Sequence, residues 1–302
     1  MNAGPFISLE EDGLATKLVL KTALGAHAHV KPLRDGRVNS DRVTLEFHDF
    51  EPLPKAFRLM VRGDDLDLSE MAVVTHLLAV DCGREHIGLA IPLWSRLPHA
   101  NLVCAANGPI NCVKDLEGTR VGVRAYAQTS GVWVRGILEE DYGVDLNSIL
   151  WGTMEDAHLP EYVDPSITRR YPPKPALRDL MLAGEFSAIM GERVVDPANI
   201  RPVIPDAEIR AREWIARTGI HPINHTLSIR RALTQAHPWL AAELMEMFDR
   251  ARSLAIAEDG AEAPPAYGYE ANTATIDKLL DYSHRQQITQ RRYLPSELYL
   301  PI

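Results

Sequence analysis

His27 and His29 stand two residues apart in Ala26-His27-Ala28-His29-Val30-Lys31-Pro32. In an extended loop both imidazoles would face the same way. Such a pair can transfer protons, ligate a metal, or simply sit at the surface. No further ligand cluster has diagnostic spacing, so no metal is expected; His27 and His29 would be its ligands if one were held. Lys31 adds a cation beside them. His225, in Gly219-Ile220-His221-Pro222-Ile223-Asn224-His225-Thr226, is a second proton-transfer candidate at the start of a strand, though histidines there are often only structural. Ser69 and Glu70 precede a long apolar run, which reads as a capped helix start with the carboxylate favoured by the dipole.

Other polar residues suit an anionic ligand. Thr129 and Ser130 open an amphipathic pattern whose apolar face is Val132, Trp133, Ile137 and Leu138. The free N–H groups of such a start suit a carboxylate or phosphate, and Tyr126 lies just before it. Ser95, Arg96 and His99 follow a strand, where α/β folds place ligand contacts. Glu192 and Arg193 follow another, with a local ion pair as their plain alternative. Neither a P-loop, nor Gly-x-Ser-x-Gly, nor a dinucleotide fingerprint is present.

The elements that must position these groups alternate. Strand patterns fall at 18–24, 43–47, 87–93, 102–106, 121–123, 149–151, 187–191, 203–205 and 226–229. Helical patterns fall at 57–61, 69–80, 129–138, 177–183, 210–217, 238–257 and 275–285. Alternation of this kind indicates α/β architecture. With 302 residues the chain has room for two domains. A hydrophobic fraction of 46% and a charged fraction of 24% are ordinary for a globular protein. A net charge of −9 with scattered Lys and Arg argues against nucleic acid or an anionic membrane as partner. Cys82, Cys104 and Cys112 form no disulfide framework. Residues 1–15 have no basic segment followed by an apolar core, so a cytoplasmic location is expected.

Several runs, taken in order, resemble one family. They include Asp115-Leu116-Glu117-Gly118-Thr119-Arg120-Val121-Gly122-Val123, Val132-Trp133-Val134-Arg135-Gly136-Ile137-Leu138 and Asp141-Tyr142-Gly143-Val144. Arg217-Thr218-Gly219-Ile220, His225-Thr226, Tyr267-Gly268-Tyr269-Glu270-Ala271-Asn272 and Pro295-Ser296-Glu297-Leu298 continue the series. Together they resemble the 4,5-dihydroxyphthalate decarboxylase family, which uses a type II periplasmic-binding-protein-like fold as an enzyme. In the first loop His27-Ala28-His29-Val30-Lys31 replaces the family's usual Tyr-Asp-Arg-Thr-Arg-like run.

The resemblance implies an α/β protein of two lobes with a ligand cleft between them. Residues 1–106 with 219–302 would form the first lobe and 107–218 the second. Crossings are expected at 102–106 and 222–226. It further implies non-oxidative decarboxylation of a hydroxylated, phthalate-like aromatic carboxylate, without an organic cofactor. His29, His225 and Glu70 would do the proton work. His27, Lys31, Ser69, Arg96, His99, Tyr126, Thr129, Ser130, Glu192, Arg193 and Thr226 would bind substrate. A non-catalytic binder of aromatic acids and a chorismate-dehydratase-like lyase are the alternatives. The expected partner is a small aromatic carboxylate, with homo-oligomerisation left open.

Overall fold

The computed structural model describes residues 16–63, 65–191 and 196–302. Among the described residues eleven strands form two sheets. The first sheet contains β1 (Leu18–Ala23), β2 (Val43–Phe47), β3 (Leu68–Ala72), β4 (His86–Ser95) and β11 (Ile223–Arg230), in the order β2-β1-β3-β11-β4. The second contains β5 (Leu102–Ala105), β6 (Arg120–Val123), β7 (Leu150–Thr153), β8 (Thr168–Arg170), β9 (Ala188–Met190) and β10 (Ile200–Pro202), in the order β10-β5-β9-β6-β7-β8. Helices follow most strands, so each sheet is the centre of one α/β lobe.

The antiparallel strands mark where the chain changes lobe. β1 is parallel to β2 and β3, whereas β11 is antiparallel to β3 and β4. Likewise β6 is parallel to β7 and β9, whereas β5 is antiparallel to β9 and β10. β5 is thus a strand of the second sheet and not a crossing, contrary to the expectation for 102–106. The first passage lies at 96–101, between β4 and β5. The return lies between the Ala207–Thr218 helix and β11.

Ser69 and Glu70 also differ from expectation. They belong to β3, and the following helix starts only at Val73. A continuous apolar run hides this switch from strand to helix. Residues 203–205, read as a strand, follow β10 instead of forming it.

One apolar cluster runs through both lobes. It joins Phe57, Met60, Val74 and Leu78 to Val121, Trp133, Ile137, Trp151 and Trp214. The Tyr269–Arg285 helix strengthens this continuity. Its Ile276 and Leu280 pack with Leu77 and Tyr299, while Leu279 and Tyr282 join the Trp133 cluster. Tyr282 lies so close to Gly136 that a Cβ there would sit 2.1 Å from the ring. Only glycine permits that approach. No helix among the described residues is long and apolar enough to cross a membrane.

Candidate active site

A cavity of about 380 Å3 opens between the lobes, walled by His27, Glu70, Trp94, Arg96, Asn224 and His225 on one side. Arg124, Gln128, Thr129, Ser130, Glu155 and His158 wall the other. Glu70 and Ala72 both reach it, as strand alternation puts residues two apart on one face.

Glu70 is fully buried. Its Oε2 accepts the Gly25 N–H at 2.8 Å, and His27 Nε2 lies 2.9 Å from Oε2 and 3.0 Å from Oε1. His225 Nδ1 lies 2.6 Å from Oε1. Burial alone would push the Glu70 carboxyl up, but the hydrogen bonds and charge of His225 and His27 together hold it well below the usual carboxylate range. An ionised carboxylate only accepts, so His225 Nδ1 and His27 Nε2 both carry protons. Nε2 of His225 is then the ring nitrogen left for the cavity. The local sequence makes room for this arrangement, because a Cβ at Gly25 would lie 2.6 Å from His27 Nε2 and 2.9 Å from Glu70 Oε2.

The position of His225 comes from an irregularity in β11. Pairing with β4 shifts register on both sides of His225. Bulges of this kind re-aim side chains next to functional sites. Here consecutive residues, Asn224 and His225, both reach the cavity. Aromatic neighbours fix the imidazole: Phe57 meets it edge-on at 5.1 Å, and Trp94 lies tilted at 4.7 Å.

Across the cavity, Thr129 and Ser130 form the first turn of the Thr129–Tyr142 helix. Thr129 Oγ1 accepts the Val74 N–H at 3.1 Å, a bond from one lobe to the other. A second such bond joins Thr75 Oγ1 and His158 Nδ1 at 2.9 Å. Burial, helped by Arg58 and Arg124, pushes the His158 pKa down to about 3, so this imidazole is neutral.

No family model matches the chain. Among curated proteins it is 28% identical to 4,5-dihydroxyphthalate decarboxylase of Comamonas testosteroni, over 95% of this chain and 97% of that protein. It is 30% identical to the enzyme of the same name from Pseudomonas putida, over 60% of this chain and 72% of that protein. The chain belongs to the 4,5-dihydroxyphthalate decarboxylase family. Among solved structures, the alkanesulfonate-binding protein SsuA of Xanthomonas axonopodis pv. citri matches 94% of this chain and 99% of its own, with a TM-score of 0.58 at 14% identity. That likeness establishes a two-lobed, periplasmic-binding-protein-like fold for this family member.

Of the residues named from sequence, His27, Glu70, Arg96, Thr129, Ser130 and His225 meet at this cavity. Six others do not. The Ala28–Val30 turn carries His29 out of the cavity, into a neighbouring pocket against Pro264 and Pro265. Its ring stacks on His27 at 5.4 Å, and burial lowers its pKa to about 4. His29 therefore lies beside the cavity and outside its lining. Lys31 is exposed on the short helix that follows.

Ser69 bonds the Glu70 carbonyl at 2.7 Å, and Thr226 pairs with the Tyr299 hydroxyl at 2.9 Å. Each neighbours a cavity residue on a strand and so misses the face that matters. Tyr126 is buried behind the helix start, under the Arg135 guanidinium. His99 sits in the first passage, 6.3 Å from Trp214, with its pKa lowered to about 4 by burial. Glu192 and Arg193 lie outside the described residues. Among the described residues no group of three or more His, Cys, Asp or Glu is arranged as a metal site.

His158, Asn224, Arg124 and Trp94 also line the cavity, though none of them stands in a motif that marks it. Trp94 and Asn224 flank the candidates Ser95 and His225. Nothing in the irregular segment around His158 marks that residue.

Proposed function

We propose that the cleft decarboxylates a hydroxylated benzene-1,2-dicarboxylate, such as the 4,5-dihydroxyphthalate named for the relatives, and that His225 delivers the proton. The observation that carries this reading is the buried Glu70 carboxylate held between His27 and His225. An anion fixed at 2.6 Å from Nδ1 holds the His225 ring in one orientation and directs Nε2 to the substrate.

The chemistry follows from this placement. The hydroxyl para to the leaving carboxylate gives up its proton as the ring carbon takes one from His225 Nε2, giving a cyclohexadienone. The pair of the carbon–carbon bond then returns to the ring and CO2 leaves. The ring oxygen regains a proton, and solvent reprotonates His225, so one proton is consumed per CO2 released. Neutral His158, tied to Thr75, serves as a fixed hydrogen-bond partner for a ring hydroxyl. Arg96 and the helix start at Thr129 and Ser130 hold carboxylates. Closure around the ligand removes water that would screen these contacts.

The test is CO2 release from 4,5-dihydroxyphthalate, with unsubstituted phthalate as control. Turnover is expected only with the hydroxylated acid, and His225→Ala should end it while retaining binding. Tight binding with the ligand returned unchanged would make the protein a binder and not a lyase.

A further inference from the structure

Arg135 lies on the Thr129–Tyr142 helix and is wholly buried. Its Nε donates to Gln286 Oε1 at 2.7 Å and its Nη2 to the Tyr126 carbonyl at 2.6 Å. The guanidinium carbon sits 3.9 Å over the Tyr126 ring. All of these partners are neutral. Nη1 has no hydrogen-bond partner, and among the described residues no carboxylate forms an ion pair with Arg135. Besides Tyr126, Tyr162 and Asp164 feel its charge, and neither forms a hydrogen bond or ion pair with it. Arginine keeps its proton even when burial opposes it, so an unneutralised cation sits inside the second lobe.

Its position gives that charge a use. Helical side chains lean toward the helix N-terminus, and here the guanidinium folds back until a Cβ at Gly131 would lie 3.1 Å from Nη1. Thr129 and Ser130, immediately before Gly131, line the cleft. The positive charge therefore lies within one turn of the free N–H groups and adds to the helix dipole there. Gln286, whose Nε2 also donates to the Val132 carbonyl at 2.9 Å, fixes the guanidinium from behind.

We infer that Arg135 is the buried counter-charge for a ligand carboxylate bound at this helix start, acting through the first helical turn and not by contact. It is a positioning residue for the anion, and the inference deepens the reading of the cleft as an aromatic-carboxylate site. Such a charge, in surroundings that screen little, distinguishes an anionic ligand from a neutral one of the same shape.

Calorimetric titration of the full chain with phthalate, sulfate and catechol tests this. Arg135→Met should weaken phthalate and sulfate by at least about tenfold and leave catechol within about twofold. Arg135→Lys should restore phthalate to within about threefold, because the charge returns without the fork. Gln286→Leu removes the pin but keeps the charge, so its anion affinity should stay within about threefold of wild type. Equal losses for phthalate and catechol in Arg135→Met would reduce the residue to a structural role. So would a Gln286→Leu variant as impaired as Arg135→Met. If Arg135→Met does not fold, Arg135→Lys and Gln286→Leu decide between them: loss of anion affinity in either overturns the inference. A wild-type chain that binds neither anion also overturns it. A wild-type chain that releases no CO2, yet whose anion affinity follows the charge at 135, sinks the decarboxylase reading and leaves this one standing.

Discussion

The first-lobe wall of the cleft ties two histidines to one buried carboxylate, and the second-lobe wall presents a helix end. On one side the Glu70 carboxylate holds His27 and His225, each within 3.0 Å of it. On the other, Thr129 and Ser130 offer backbone N–H groups, with Arg124 and the neutral His158 beside them. Side chains that titrate suit proton transfer, whereas fixed dipoles and permanent cations suit a carboxylate that must be held but not altered. On the proposed reading, loss of Glu70 or His225 in the first lobe should show in kcat, and loss of the helix-end contacts in the second lobe should show in KM.

Glu70→Gln makes the hardest test of that division. It leaves the shape but removes the anion, so kcat should fall by roughly 10²- to 10⁴-fold, as when general acid–base groups are lost. A variant that changed only KM would break the division between walls. Gly25→Ala comes next, because its Cβ would press on both His27 and Glu70. A kcat loss of about tenfold or more is expected, with CO2 release as the readout. On the other wall, Thr129→Val strands the buried Val74 N–H that Thr129 accepts. The cost is about 1–3 kcal/mol, to be read as a rise in KM with kcat nearly held. A drop in kcat alone would contradict the assignment.

The smallest effect near neutral pH is on stability. Burial lowers His29, His76 and His99 from 6.5 to about 4, and His158 to about 3. Below pH 6.5 the unfolded chain takes up protons that the folded chain refuses, so stability that is full above 6.5 declines as pH falls toward 4. His76, bonded to Ser228 and to the Leu298 carbonyl, alone accounts for about 3 kcal/mol across that window. Unfolding midpoints measured from pH 7 to pH 4.5 should fall steadily. Thermal stability unchanged over that range would refute the buried neutral histidines.

Much of the fold was legible because strands and helices alternate with recognisable stops, such as the left-handed Gly143 and Gly219 that end helices. His225 and the Thr129–Ser130 helix start were legible for the same local reason. Glu70 was named for proton transfer but placed at a helix start, because Ser69-Glu70 before an apolar run has the same pattern at a helix start as in a buried strand. Ser69, Tyr126 and Thr226 show the other limit. A sequence places a residue near a site, but a one-residue step on a strand decides whether it faces the ligand. His158 depends on Thr75, 83 positions earlier, and such a contact leaves no local signal.

The apolar cluster that runs from Phe57 through Trp133 to Tyr282 has a consequence for how this molecule melts. Two lobes with separate interiors would denature in two steps, whereas a common interior couples them into a single cooperative transition. The calorimetric and van't Hoff enthalpies should then agree, and a ligand bound between the lobes should raise one midpoint instead of separating two.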